Sequence, residues 1–267
     1  MFRVAPARLL IATAVGCLLV GLALRASQID RVLFLTINED AWRWAPAALL
    51  SCITILGHGL SAVMLLSPTL LRAPQFLLAG LCGAPVALLL SRLPKALIDS
   101  PRPAAVLEPT VIHVNGMQLA GHNSFPSGHA ITAFLVVGVL LAAEGPARPR
   151  LPVAVAIVLV GFAVALSRIA VGAHWPSDVL AGAGLGLLAG WAGARAQQRW
   201  AHASSLWTRT LLALAVLGCA GTLPRLDLGY PLARPLQLGL AALGAAMGVL
   251  SLWRCWTCRD QAGRRSG

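Results

Sequence analysis

Three short stretches hold most of the residues in this apolar chain that are able to do chemistry: "KALIDSPRP" (Lys95–Pro103), "PSGH" (Pro126–His129) and "SRIAVGAHWPSD" (Ser167–Asp178). Lys95, the single lysine, brings a point charge. Arg102 and Arg168 bring planar forks that match phosphate oxygens. In "PSGH" the proline suits a first helical position. Ser127 and Gly128 then fall where the backbone N–H groups of a helix start lack partners, which is a ready anion site. Gly128 also lets a ligand come close to the backbone, and His129 stands beside it. "HWPSD" repeats the device. His174 precedes a helix start, and Asp178 follows four residues on. That carboxylate is expected to accept a hydrogen bond from one ring nitrogen of His174, leaving the other free to attack. Together these are the parts for phosphoryl transfer, with the charge carried by Lys and Arg rather than by a metal. Asp99 and Glu108 are too isolated to make a carboxylate pair, so neither a metal site nor a cofactor is expected.

The pattern K-x6-R-P, then P-S-G-H, then S-R-x5-H-x3-D resembles the type 2 phosphatidic acid phosphatase (PAP2) family, which shares its site with vanadium haloperoxidases. All three motifs are intact and in order between Lys95 and Asp178. The resemblance implies that His174 forms a phosphohistidine, that Asp178 orients it, and that His129 protonates the leaving group. It implies phosphate binding by Lys95, Arg102, Arg168, Ser127 and Gly128. It also implies a six-helix core and a site at the outer face of the bacterial inner membrane.

The elements that must position these residues are membrane helices. The chain is 267 residues long, 58% hydrophobic and 11% charged, less than half the charge of an ordinary soluble domain. Apolar runs fall at Leu9–Leu24, Ala45–Ser67, Gln75–Leu93, Gly128–Ala143, Leu151–Ile169, Pro176–Ala194, Thr210–Leu223 and Pro235–Trp253. None alternates like a strand, so the expected fold is all-α, a polytopic membrane bundle. The expected division is a PAP2-like core over 1–195, two extra C-terminal membrane segments over 196–253 and a cytoplasmic tail over 254–267. The longest loop between spans is expected from about Pro94 to Pro126. The seventh run is the weakest and reads equally as an interfacial or re-entrant helix. The first run looks like a signal peptide, but it continues past Cys17 and meets Arg25, so an uncleaved span is expected.

A net charge of +12 raises the question of nucleic acid. The arginines are instead scattered through loops, as membrane topology requires, so no nucleic-acid partner is expected. With the N-terminus cytoplasmic, twelve basic residues fall inside and nine outside, three of the nine being Lys95, Arg102 and Arg168. The site then faces the periplasm.

Taken singly, several residues read differently. Arg92, Arg102 and Arg168 suit helix-end anchors. His113 and His122 suit solvated loop positions, although His122 lies close enough in sequence to touch a headgroup. His58 and His202 read as structural. The tryptophans suit an aromatic belt, with Trp175 set apart because it adjoins His174. The "CWTC" of Cys255 and Cys258 lacks a second ligand pair and reads as incidental. The expected substrate is a lipid phosphate or diphosphate whose chain stays among the membrane lipids, undecaprenyl diphosphate first. Phosphatidylglycerophosphate, phosphatidic acid and lipid A phosphates compete with it, as does transfer to an acceptor lipid. A non-catalytic protein or a transporter is the contrasting class. Transport would call for charged or broken segments deep in several spans.

Overall fold

The computed structural model describes residues 6–143, 148–199 and 205–265, with side chains described only as far as residue 257 at the C-terminal end. Expectations about Arg3, Trp200, His202 and the Cys258 side chain lie outside the described residues. Apart from one isolated parallel bridge between Ser100 and Asn123, the regular structure described is helical.

Among the described residues, six helices are long and apolar enough to cross a membrane. They are α1 (Pro6–Arg25), α5 (Gln75–Leu97), α8 (Leu151–Ala170), α9 (Pro176–Arg199), α10 (Leu206–Thr222) and α11 (Arg234–Arg265). Between α5 and the shorter apolar helix α7 (Gly128–Leu141), which has 14 residues, lies a single helical turn, α6 (Pro103–Val106). The expected second span is broken into α3 (Ala47–Ile55) and α4 (Gly59–Leu66), and α4 continues as a 3-10 turn over Ser67–Leu71. The two pieces meet at 76°.

α9 is the hub, because it has almost no side-chain bulk on the faces it presents. Gly182, Gly186 and Gly190 lie along α7, where a methyl group on any of them would strike the Ser127, Ile131 or Leu135 carbonyl. Small residues at every fourth position let two membrane helices meet backbone to backbone. Gly184 does the same against α1 at Ala14, and Gly193 against α5 at Ala79. Ile131, Leu135, Val139, Ala183, Leu187 and Ala189 fill the space between these helices. A second apolar cluster joins α4 and its 3-10 turn to the α10–α11 hairpin through Met64, Leu70, Leu212, Val216 and Leu240.

Four sequence expectations are corrected. The second apolar run is not a straight helix. Gly57 lies so close to the Cβ of His129 and to Val164 that any side chain there would clash, and His58 starts α4 afresh by accepting the Leu60 N–H at Nδ1. The seventh run, expected to be the weak one, is the regular 20-residue apolar segment Leu206–Arg225. A helix not expected at all, α2 (Ile29–Trp44), follows α1. Pro94 sits inside α5, so Lys95 is on a helix rather than in a loop. From 254 on, where a cytoplasmic tail was expected, α11 continues as helix to Arg265.

The α7–α9 contact makes a stability prediction. Gly186→Ala is expected to destabilise the protein by about 1–3 kcal/mol through overpacking. Gly16→Ala, at a position with open space around it, is expected to be neutral. Thermal unfolding in detergent compares the two.

Candidate active site

α2 holds the His174 loop from behind. It buries Asp30, Phe34 and Asn38, one residue every fourth position. Asp30 accepts the Ser177 N–H at 2.9 Å and the Ser177 hydroxyl at 2.5 Å, so a carboxylate from another helix caps the start of α9. Burial pushes the Asp30 carboxyl above its ordinary value, and the two Ser177 hydrogen bonds oppose that. Phe34 packs against Trp175 with ring centres 5.1 Å apart. Asn38 donates to the carbonyls of His113, Ile169 and Ala170 and accepts the His113 N–H, which satisfies the side chain and ties the His113 loop and the end of α8 to α2. Trp42 adds a bond to the Ala170 carbonyl.

The other half of the site comes from two extended strands of loop. Ser100 N–H donates to His122 O, Arg102 N–H to Gly121 O, and Ser124 N–H to Ser100 O. This pairing sets Arg102 beside Asn123, whose Oδ1 accepts from Arg102 Nε at 3.3 Å. Lys95, in the last turn of α5, donates to the carbonyls of Asn123 and Ser124. The α7 and α9 starts are joined directly, since Ser127 N–H donates to Asp178 O at 3.0 Å.

These contacts converge on His174, which is 3% exposed. Arg102 Nη1 donates to Ala173 O and lies 3.4 Å from His174 Nε2. A guanidinium only donates, so Nε2 carries the lone pair and Nδ1 the proton. Nδ1 faces Ser124 Oγ at 3.3 Å, and the Ser124 hydroxyl in turn donates to Asp178 Oδ2. The direct Nδ1–Oδ2 separation is 3.4 Å. The orienting chain therefore runs His174–Ser124–Asp178, where a direct His174–Asp178 bond was expected. Trp175 N–H also donates to Asp178 Oδ2 at 3.0 Å. Burial, reinforced by Arg102, Arg168 and Lys95, holds the His174 ring well below its ordinary value of 6.5. The ring is neutral at neutral pH, with Nε2 available as a nucleophile.

Arg168 is only 2% exposed, which rules out a snorkelling anchor. Its Nη1 donates to Thr54 Oγ1 at 2.6 Å and Tyr230 Oη at 2.8 Å. Ser127 is fully buried, and its hydroxyl is the N-cap of α7, accepting the Ala130 N–H. With its own N–H engaged by Asp178, Ser127 shapes the helix mouth. The first free donors there are the N–H groups of Gly128 and His129. Pro126 lies two residues before the helix, in a cis peptide after Phe125, not at its first position. Pro176 does begin α9 as expected.

His129 lies on the wall of a cavity of about 660 Å³ between α4, α5 and α7. His58 stands opposite, with ring centres 6.5 Å apart. Beyond these and Ser91, Arg92 and Thr132 the lining is apolar, including Leu66, Leu77, Leu81, Ile131 and Leu135.

The remaining singled-out residues fall outside this centre. His122 pairs with exposed Asp99, and His113 with Glu39, whose carboxyl is lowered by hydrogen bonds from His113 and Arg43. Trp175 donates from its indole to Pro101 O, so it braces the Arg102 loop. Asp30, Asn38, Ser124 and Tyr230 were not anticipated. The four-residue period of Asp30, Phe34, Asn38 and Trp42 was a readable signal for the first two. Ser124 directly precedes "FPSGH", and nothing in its type marks it out.

A family model for the PAP2 superfamily matches residues 75–202. Those residues, just under half of the chain, form a PAP2-superfamily segment. With six helices among the described residues long and apolar enough to cross a membrane, the chain is a polytopic membrane protein. A 72-residue stretch is 42% identical to a lipid A 1-phosphatase of Porphyromonas gingivalis, covering 26% of this chain and 15% of that protein. The match therefore spans a small part of that relative's length. The crystal structure of Aquifex aeolicus LpxE shares the fold, with a TM-score of 0.54 and 24% identity over 62% of this chain and 95% of that one.

Two measurements test the geometry of this PAP2 site. The acid limb of kcat/KM is expected below pH 6.5, because a lowered His174 value keeps Nε2 unprotonated until the pH falls past it. Ser124→Ala is expected to lower kcat by roughly 10–100-fold with little change in KM, the usual loss when an orienting partner is removed.

Proposed function

We propose that this protein is an integral-membrane lipid phosphatase acting through a phosphohistidine on His174. Its chief support is the donor chain that leaves Nε2 as a lone pair between buried cations, beside a cavity that turns apolar immediately past His129. Nε2 attacks phosphorus, and the bond to the lipid oxygen breaks. His129 gives that oxygen a proton as general acid. The imidazolium formed at His174 keeps its Nδ1 proton on Ser124, and the Ser124 hydroxyl donates to Asp178. Arg102, Arg168, Lys95 and the Gly128 N–H carry the charge on the equatorial oxygens. Water, deprotonated by His129, then attacks phosphorus, the P–N bond breaks, and phosphate leaves with Nε2 restored. In this reading the core spans 1–195, the segments over 196–253 are additions and 254–267 is a cytoplasmic tail. The N-terminus is cytoplasmic and the site periplasmic, in a bacterial inner membrane.

For the substrate, the cavity favours a phosphate attached directly to hydrocarbon. Undecaprenyl diphosphate is the leading reading: attack on its terminal phosphorus breaks the bond to the bridging oxygen and releases undecaprenyl phosphate, whose phosphate is attached directly to a chain running between α4, α5 and α7. Lipid A phosphate is the second reading, favoured by the 42% identity to a lipid A 1-phosphatase.

Phosphate release in detergent, with EDTA present, across a panel of lipid phosphates is the test. Release from one lipid, abolished by His174→Ala in a protein that remains folded, is the expected result. Retained activity in the variant would remove the nucleophile assignment, and a strict metal requirement would contradict the cation-only mechanism.

A further inference from the structure

The PAP2 family match stops at residue 202, yet one of the site's cations is held by a side chain beyond it. Arg168 Nη1 has two partners, Thr54 Oγ1 from α3 and Tyr230 Oη from the turn between α10 and α11. Tyr230 is the only tyrosine in the chain. It is 8% exposed, and the Arg168 guanidinium carbon also lies 5.7 Å from its ring centre.

The turn that delivers Tyr230 is built. Gly229 adopts φ +76°, a conformation that favours glycine, and its N–H is held by Asp227. Its carbonyl accepts the Met117 N–H, which docks the turn on the loop before α7. Gln237 on α11 donates to the Leu223 and Leu226 carbonyls and closes the turn from the other side.

Nη1 has two hydrogens, and Thr54 and Tyr230 take both. The guanidinium is thereby fixed with its other edge, Nε and Nη2, as the remaining fork. Nε is buried without a partner among the described residues. A buried, charged donor with no acceptor is unfavourable, and a phosphoryl oxygen is the acceptor that this fork matches.

We propose that Tyr230 is a positioning residue of the phosphate site, and that the α10–α11 hairpin is part of the catalytic unit. Tyr230 holds Arg168 so that its Nε–Nη2 edge meets the phosphoryl group. The proposal rests on the phosphoryl-transfer reading above.

The probe is orthovanadate, titrated against the full chain in detergent and read as a thermal shift. Wild type, Tyr230→Phe, Arg168→Ala and the double variant are compared. Tyr230→Phe keeps the ring and removes one oxygen, so the midpoint without vanadate reports packing separately. The expected result is roughly tenfold weaker vanadate binding in Tyr230→Phe, the usual scale for a hydrogen bond to a charged group. No further loss is expected when the change is made on Arg168→Ala. Thr54→Val, which removes the other Nη1 partner, is expected to weaken vanadate in the same way, and it serves if Tyr230→Phe does not fold. Equal vanadate affinity in wild type and Tyr230→Phe, or the same tenfold loss without Arg168, would overturn the proposal. So would unchanged affinity in Thr54→Val. The absence of any vanadate shift in wild type would overturn the phosphoryl reading itself, and this inference with it.

Discussion

Charge buried at the mouth of a membrane bundle must be satisfied, and much of this structure serves that need. Arg102, Arg168, His174 and Asp178 are each no more than 9% exposed. Isolated in such a place, any one of them would be strongly unfavourable. Each is held by hydrogen bonds from a different part of the chain. Arg102 leans on Asn123 and the Ala173 carbonyl, Arg168 on Thr54 and Tyr230, and Asp178 on Ser124 and the Trp175 N–H. Among the atoms left over, Nε2 of His174, Nε of Arg168 and the first N–H groups of α7 suit a reacting phosphate, while Asp178 Oδ1 stays buried without a partner among the described residues.

The level of that site is set by backbone contact rather than side-chain packing. Gly182, Gly186 and Gly190 bring α9 against α7 so closely that Ser127 N–H reaches the Asp178 carbonyl. The two helix starts are thereby joined, and their positive ends face the same space. α2 then locks the loop before α9 through Asp30 and Asn38. A helix with polar residues on its buried face is costly in a membrane protein unless each finds a partner, and here each does.

The break in the second span has a similar logic. α4 begins at His58 because Gly57 must clear His129, and the resulting bend opens the cavity between α4, α5 and α7. The same break presents Thr54, near the end of α3, to Arg168. A straight helix would give up that opening and displace that partner together.

What the amino-acid sequence determined by itself was local. Apolar runs of membrane length can bury their backbone polar groups only as helices, so the all-α bundle and most span positions were legible. The three motifs were legible too, because residue type and spacing dictate which donors and nucleophiles are on offer. Lys95, Arg102, His174 and Asp178 do converge as their spacing implied. Tertiary structure alone decided the rest. Ser124 stands between His174 and Asp178 because two loop segments pair through backbone hydrogen bonds that carry no sequence signature. Ser127 turns its hydroxyl into its own helix. The second span bends because a neighbouring histidine needs room. Tyr230 reaches Arg168 from 62 positions away in sequence. Contacts between residues so far apart depend on how helices pack, and composition and periodicity are blind to that.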